Sequence, residues 1–171
     1  VESWLVAWAK KRKGVERPDD LISLIVNRAD EQGREPSDQL IGRHVPTLFG
    51  AAYETCQTAL TWTLLLLAQH PQVYADLLDE VGDELSSDDA SLTERIEGWT
   101  LLDAVIKESM RILPPVPFQM RVAIADTDLV DCAVKEDTRV YLSPFLTNRL
   151  PEIYSDPDRF RPERWATIKP T

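Results

Sequence analysis

Apolar residues along the first two thirds of the chain recur at intervals of three and four, the spacing that gathers them on one face of a helix. In ESWLVAWAKKRK, Trp4, Leu5 and Trp8 share such a face. PDDLISLIVNRADEQG opens with Pro18 and Asp19-Asp20 and closes at Gly33, as a helix does at its two ends. Residues 33–38 read as a loop, and Ser37 can cap a long helix that runs to His70, where Pro71 ends it. Apolar or small residues then fall at 41, 45, 48, 49, 52, 56, 59, 60, 63 and 64, one face of that helix. Beyond residue 59 it is apolar all round, which predicts enclosure by other elements. A helix of about 34 residues spans roughly 50 Å at 1.5 Å per residue, whereas a domain of this chain's length has a diameter near 40 Å. The helix is therefore too long for the body expected to surround it. Pro46 removes a donor and crowds the carbonyl of Gly42, so a kink, or a helix start nearer Thr47, is predicted there.

PQVYADLLDEVGDEL predicts a further helix with Asp76, Asp79 and Glu80 outward, and SSDDASLTE a loop with capping residues. TLLDAVIKESMRIL predicts a helix stopped by Pro114-Pro115. The character then changes. FQMRVAIADTDLVDCAV and DTRVYLSPFL are β-rich and short, and the last 21 residues are proline-punctuated and irregular. The fold class predicted is mainly α with a small β-sheet region.

One charged pair conflicts with its neighbours. Projected at about 100° per residue, Leu101, Val105 and Ile112 lie together, with Ala104 on one flank and Leu102 and Leu113 on the other. Asp103 and Lys107 take the solvent side. Glu108 falls between Leu101 and Ala104, inside the apolar arc, with Arg111 at its margin. Glu108 and Arg111 are either a surface pair worth a few tenths of a kcal/mol or a buried one. A buried carboxylate with one arginine leaves acceptor sites open, so a second cation or several N–H donors must arrive from elsewhere. Arg164, in the proline-fixed FRPERW, is the candidate.

Composition narrows the function. The 171 residues suit one domain with a real core; 43% are hydrophobic and 28% charged, as in a globular protein. The net charge of −10 argues against a nucleic-acid partner. The one basic cluster, Lys10-Lys11-Arg12-Lys13, reads as a solvated helix end rather than a docking patch. Cys56 and Cys132 form neither a disulfide nor a metal pattern, and favour a reducing, cytoplasmic setting only weakly. No signal-peptide pattern opens the chain, and the longest strongly apolar run, 59–68, is too short to cross a bilayer. His44 and His70 lack metal-ligand spacing, so no protein metal site is predicted.

Taken in series, these stretches resemble the cytochrome P450 family, the haem-thiolate monooxygenases. LFGAAYETCQTALTWTLLLLAQHP is similar to the family's oxygen-binding helix, with Ala51-Ala52-Tyr53-Glu54-Thr55-Cys56 on its small-small-x-acid-Thr motif. KESMR matches the family's E-x-x-R pair. PPVPFQMR resembles the segment that follows, with Arg121 at the position of a haem-propionate partner. SDPDRFRPERW matches the meander, whose arginine, here Arg164, completes a triad with Glu108 and Arg111. The resemblance is strong across residues 37–165 and loose before them. It implies a partial cytochrome P450 fold, with residues 1–171 a single incomplete domain from the middle of a larger one. It also implies haem as cofactor, O2 and a small apolar organic molecule as substrates, and a reductase or ferredoxin as electron donor. The oligomeric state is left open.

Under that resemblance Thr55 supplies a hydroxyl, and Glu54 an exchangeable proton, at the oxygen site. The plain alternative is that Thr55 bonds back to the carbonyl of Ala51 while Glu54 faces solvent. Ala51 and Ala52 leave room beside the haem, Ala52 standing where the family usually has glycine. Cys56 replaces a Thr or Ser and reads as an ordinary small residue. Val116 and Phe118 match substrate-facing positions, or else pack in a core. Neither cysteine matches the family's iron ligand, which lies in a Gly-rich loop after the meander. The chain alone is therefore expected to be inactive and poorly stable, with a large exposed apolar patch. The competing reading is a non-enzymatic helical interaction module derived from the same fold.

Overall fold

The computed structural model describes residues 2–14, 21–28, 33–85 and 92–168, which divide into two compact units, 1–55 and 56–171. No helix among the described residues is long and apolar enough to cross a membrane.

In the first unit, α1 (Glu2–Lys10) and α2 (Leu21–Asn27) pack with the first turns of α3 (Asp38–Gln69). Leu5, Ala9, Val26, Ile41 and Val45 form the core there. The helix predicted to begin at Pro18 and reach Gly33 is shorter: it ends at Asn27, and its predicted opening, with residues 29–32, lies outside the described residues. The Asn27 side chain ties the end of α2 to the turn that follows α1. Its oxygen accepts from the Gly14 amide at 2.7 Å and its amide donates to the Arg12 carbonyl at 3.2 Å. The basic cluster is partly spent on acids, with Lys10 on Asp38 at 2.5 Å and Lys13 on Glu35 at 2.6 Å.

Ser37 caps α3, its hydroxyl accepting from the Leu40 amide at 3.2 Å. The helix then continues through Pro46 with no new start at Thr47. Proline costs the Gly42 carbonyl its donor, but buried Ile41 and Val45 on the same turns hold the helix in register, and tertiary packing outweighs local propensity.

In the second unit, the rest of α3 packs with α4 (Pro71–Leu85) and α6 (Thr100–Ile112). Leu66, Leu67, Leu77, Val105, Ile112 and Phe160 form its core. The predicted enclosure of α3 is incomplete: Thr63, Leu66 and Leu67 are buried, whereas Leu60 and Leu64 are 62% and 58% exposed. A helix, α5 (Leu92–Gly98), begins inside the stretch predicted as loop. Glu80, predicted to point outward, instead crosses from α4 to α6. It accepts from the Leu101 and Leu102 amides at 2.8 and 3.0 Å and from the Thr100 hydroxyl at 3.3 Å. Trp99 stands at the N-cap of α6 and has no side-chain acceptor, so the helix takes its cap from its neighbour.

The β region forms two antiparallel pairs. β1 (Gln119–Val122) pairs with β4 (Arg139–Leu142), and β2 (Thr127–Leu129) with β3 (Cys132–Val134). The predicted second β stretch stops at Leu142, because Ser143 caps a short helix, α7 (Pro144–Thr147), with Pro144 in its first turn. The irregular end carries one 3-10 turn at Pro162–Ala166.

Candidate functional site

The centre of the second unit is a carboxylate. Glu108 is fully buried on α6, between Val105 and Ile112, which belong to the core. Five N–H donors converge on it. Arg111 donates through Nε to Oε2 and through Nη2 to Oε1, both at 2.9 Å, the fork-on-carboxylate pairing that three-residue helical spacing permits. Arg164 Nε and the Arg161 backbone amide each reach Oε1 at 2.9 Å, and the Trp165 indole reaches Oε2 at 3.0 Å.

The second guanidinium leaves an excess positive charge in the interior, and backbone carbonyls absorb it. Arg111 spends its remaining donors on the carbonyls of Asn148 (2.8 Å), Pro157 (2.7 Å) and Arg159 (3.1 Å), so all five of its N–H groups are used. Arg164 reaches the carbonyls of Ser155 (2.7 Å), Asp156 (3.2 Å) and Arg159 (3.3 Å). Residues 155–159 thus wrap the two arginines with their oxygens inward. Asp156 adopts φ +47° to make that turn, a left-handed conformation aspartate tolerates better than most residues. The Tyr154 ring lies 5.1 Å from the Arg111 guanidinium carbon and completes the enclosure.

Burial alone would raise the Glu108 carboxyl. The Arg111 hydrogen bonds, the Arg161 amide and the charges of Arg111 and Arg164 together outweigh it and hold the carboxyl below the ordinary carboxylate range. The group is ionised at neutral pH and has no acceptor site open to a substrate. It ties α6 to the segment 155–165.

The remaining site candidates lie elsewhere. Ala51, Ala52, Glu54 and Thr55 sit on consecutive turns of α3 in the first unit. Both alanines and Glu54 are exposed, and Thr55 is half-buried. The Thr55 hydroxyl donates to the Ala51 carbonyl at 2.7 Å, the local arrangement named above as the alternative to an oxygen-site role. Arg121, Val116 and Phe118 belong to the second unit and follow α6. Arg121 lies exposed on β1 opposite Val140 and donates only to neutral groups, the Met120 carbonyl at 2.9 Å and the Gln119 side chain at 3.1 Å. It has no carboxylate partner among the described residues. Val116 and Phe118 are 40% and 60% exposed, and the Phe118 ring lies 6.4 Å from that of Tyr141. Cys56 and Cys132 are both exposed free thiols, and no cluster of three metal-ligating side chains occurs among the described residues.

Trp165, the Arg161 amide and the carbonyl cage go beyond what the sequence predicts. Trp165 follows Arg164 directly, and the roughly four lone-pair sites of a buried carboxylate leave room for N–H donors beyond a pair of arginines. That shortfall was the available signal.

Comparison with known proteins gives the family and the fold. The chain matches the Cytochrome P450 family model over residues 7–169, and it belongs to that family. It is 33% identical over 147 residues to pentalenene oxygenase of Streptomyces avermitilis, covering 86% of this chain and 32% of that protein. It is 31% identical over 150 residues to cytokinin hydroxylase of Arabidopsis thaliana, covering 87% and 29%. Among solved structures, the heme domain of cytochrome P450DA superposes with a TM-score of 0.82 at 26% identity, over 97% of this chain and 37% of that one. The retinoic acid-bound cyanobacterial CYP120A1 gives 0.81 at 25% identity, over 96% and 39%. The chain thus spans about a third of the length of the curated relatives it matches, and its fold is a partial cytochrome P450 fold. Proteins of this family bind haem.

Proposed function

We propose that this chain is part of a haem-dependent monooxygenase that inserts one atom of O2 into an apolar organic substrate, with electrons from a redox partner. One observation carries the reading: a fully buried glutamate clasped by two arginines at the family's E-x-x-R and meander positions, within a chain that belongs to the family. In this reading residues 1–171 are one portion of a larger catalytic domain.

The residues present fit the edge of a haem and not its iron. Arg121 is an exposed cation bound only to neutral acceptors, and the apolar side chains of Val116 and Phe118 lie exposed close by in sequence. An anionic propionate against Arg121 would gain a charge-assisted hydrogen bond. The iron's thiolate ligand is not supplied by Cys56 or Cys132. When bound, haem supplies the oxygen chemistry.

The chain's own residues hold and position. Glu108, Arg111 and Arg164 fix α6 against residues 155–165. Val116 and Phe118 present an apolar wall that excludes water and favours an apolar substrate. Thr55 can turn its hydroxyl from the Ala51 carbonyl to a water, and Glu54, already exposed, can take a proton from solvent and relay it to that water. Ala51 and Ala52 keep the α3 surface low beside them.

Incubating the full encoded polypeptide with haem, a reductase system, isotopically labelled O2 and a panel of apolar organic molecules tests the reading. One labelled oxygen atom per product molecule is expected. A full-length product that neither takes up haem nor consumes reductant would overturn it in favour of the non-enzymatic helical module.

A further inference from the structure

The segment that leaves α6 cannot fix its own direction. A helix commonly closes its C-terminus with the amides of the next two residues beyond the cap. Here Leu113 is the cap, and Pro114 and Pro115 follow, neither of which has an amide hydrogen. Leu113 itself donates to the Ser109 carbonyl at 2.8 Å, which leaves the carbonyls of Arg111 and Ile112 without donors from the segment that follows. Pro117 adds a third position with no donor.

Residues 143–149 supply what is missing. The Asn148 side-chain amide donates to the Arg111 carbonyl at 3.2 Å, and Arg149 Nη2 donates to the Ile112 carbonyl at 2.7 Å. The Pro117 carbonyl, at the far end of the proline segment, accepts from the Ser143 hydroxyl at 3.1 Å and the Phe145 amide at 3.2 Å. Arg149 is itself held: its guanidinium lies 3.8 Å from the Phe145 ring centre, donates to the Phe145 carbonyl at 3.2 Å and pairs with Asp158 at 3.4 Å. Asn148 is tied back through its own carbonyl, which accepts from Arg111. The β1–β4 pairing continues the same attachment, since β4 runs directly into Ser143.

We propose that residues 143–149 form a bracket that aims segment 113–121, with Asn148 and Arg149 as its positioning residues. That segment carries Val116, Phe118 and Arg121, so the consequence for haem and substrate rests on the function proposed above; the bracket itself does not. Arg149 joins three elements: the end of α6, α7 and the meander that wraps Arg111 and Arg164. The direction of the substrate-facing segment is thereby coupled to the clasp on Glu108.

Amide hydrogen exchange on the full encoded polypeptide tests this. In Arg149→Met, exchange at Leu113 and Phe145 should speed about tenfold, as expected when one or two hydrogen bonds to a carbonyl are lost, while α4 amides change less than about twofold. Arg149→Lys keeps the charge and one donor and should recover part of the protection. Should Arg149→Met fail to fold, Asn148→Ala, which leaves the Arg149 contacts in place, should still speed exchange at Leu113. Unchanged exchange at both amides, or an equal acceleration throughout the second unit with no recovery in Arg149→Lys, would overturn the bracket. Exchange is read with or without haem. A wild-type protein that binds no haem would therefore sink the proposed function and leave the bracket standing.

Discussion

Replacing Glu108 by glutamine keeps the shape of the side chain and removes its charge. Five donors now converge on two carboxylate oxygens. In Glu108→Gln one of those oxygens becomes an NH2 group, itself a donor. If the amide oxygen keeps the Oε1 position, Arg111 Nε and Trp165 Nε1 face a donor at 2.9 and 3.0 Å. In the opposite orientation, three donors lose their acceptor. Either way the guanidiniums of Arg111 and Arg164, 2% and 5% exposed, stay buried with no anion. Removing one partner of a buried ion pair costs about 3–5 kcal/mol, against about 0.5 kcal/mol for an ordinary surface pair. With a urea dependence of roughly 2 kcal/mol per molar, the unfolding midpoint should fall by about 2 M. Urea unfolding followed by tryptophan fluorescence measures this, and Trp165, which donates to Glu108, reports from the site. The loss should be non-additive with Arg164→Met, because the second substitution removes one of the stranded charges. A midpoint within 0.3 M of the wild type, equivalent to about 0.6 kcal/mol, would refute the reasoning: the carboxylate would not be holding α6 to the meander.

Further expectations follow from the same contacts. Arg111→Lys keeps the charge but offers three donors where five are used, and should cost about 2–4 kcal/mol in the same unfolding assay. The folded-state pKa of Glu108 lies below its ordinary value of 4.5, so its contribution to stability is complete above that pH and is lost as pH falls through the lower, folded value. The stability difference between wild type and Glu108→Gln should therefore shrink as pH drops below about 4.5, read by unfolding midpoints in a pH series. Glu80→Ala removes the borrowed cap of α6 and should cost about 1–2 kcal/mol, with faster amide exchange at Leu101 and Leu102.

The legible parts of this fold are those where a local rule and the tertiary outcome agree. Ser37 caps the helix it was expected to cap, and Glu108 lies buried where its apolar neighbours place it. Arg111 is legible because a three-residue spacing fixes its approach. Other contacts come from far along the chain. Arg161 and Trp165 meet Glu108 across 53 and 57 residues, and no periodicity carries that distance. Glu80 departs from expectation for a related reason: its outward position on α4 says nothing of a neighbouring helix whose cap position holds tryptophan. Pro46 shows the opposite conflict, packing overriding a local signal. The signal for α7 is present in Ser143-Pro144, although the β-rich composition around it predicts a continuing strand.

The most direct measurement is the absorption spectrum of the full encoded polypeptide, supplied with haem, reduced and exposed to carbon monoxide. A red-shifted Soret band, the signature of thiolate-ligated haem, is predicted, with Arg121→Ala lowering haem retention. A spectrum identical to that of free haem under the same conditions would contradict a haem-thiolate oxygenase and leave Glu108 and its arginines as scaffold alone.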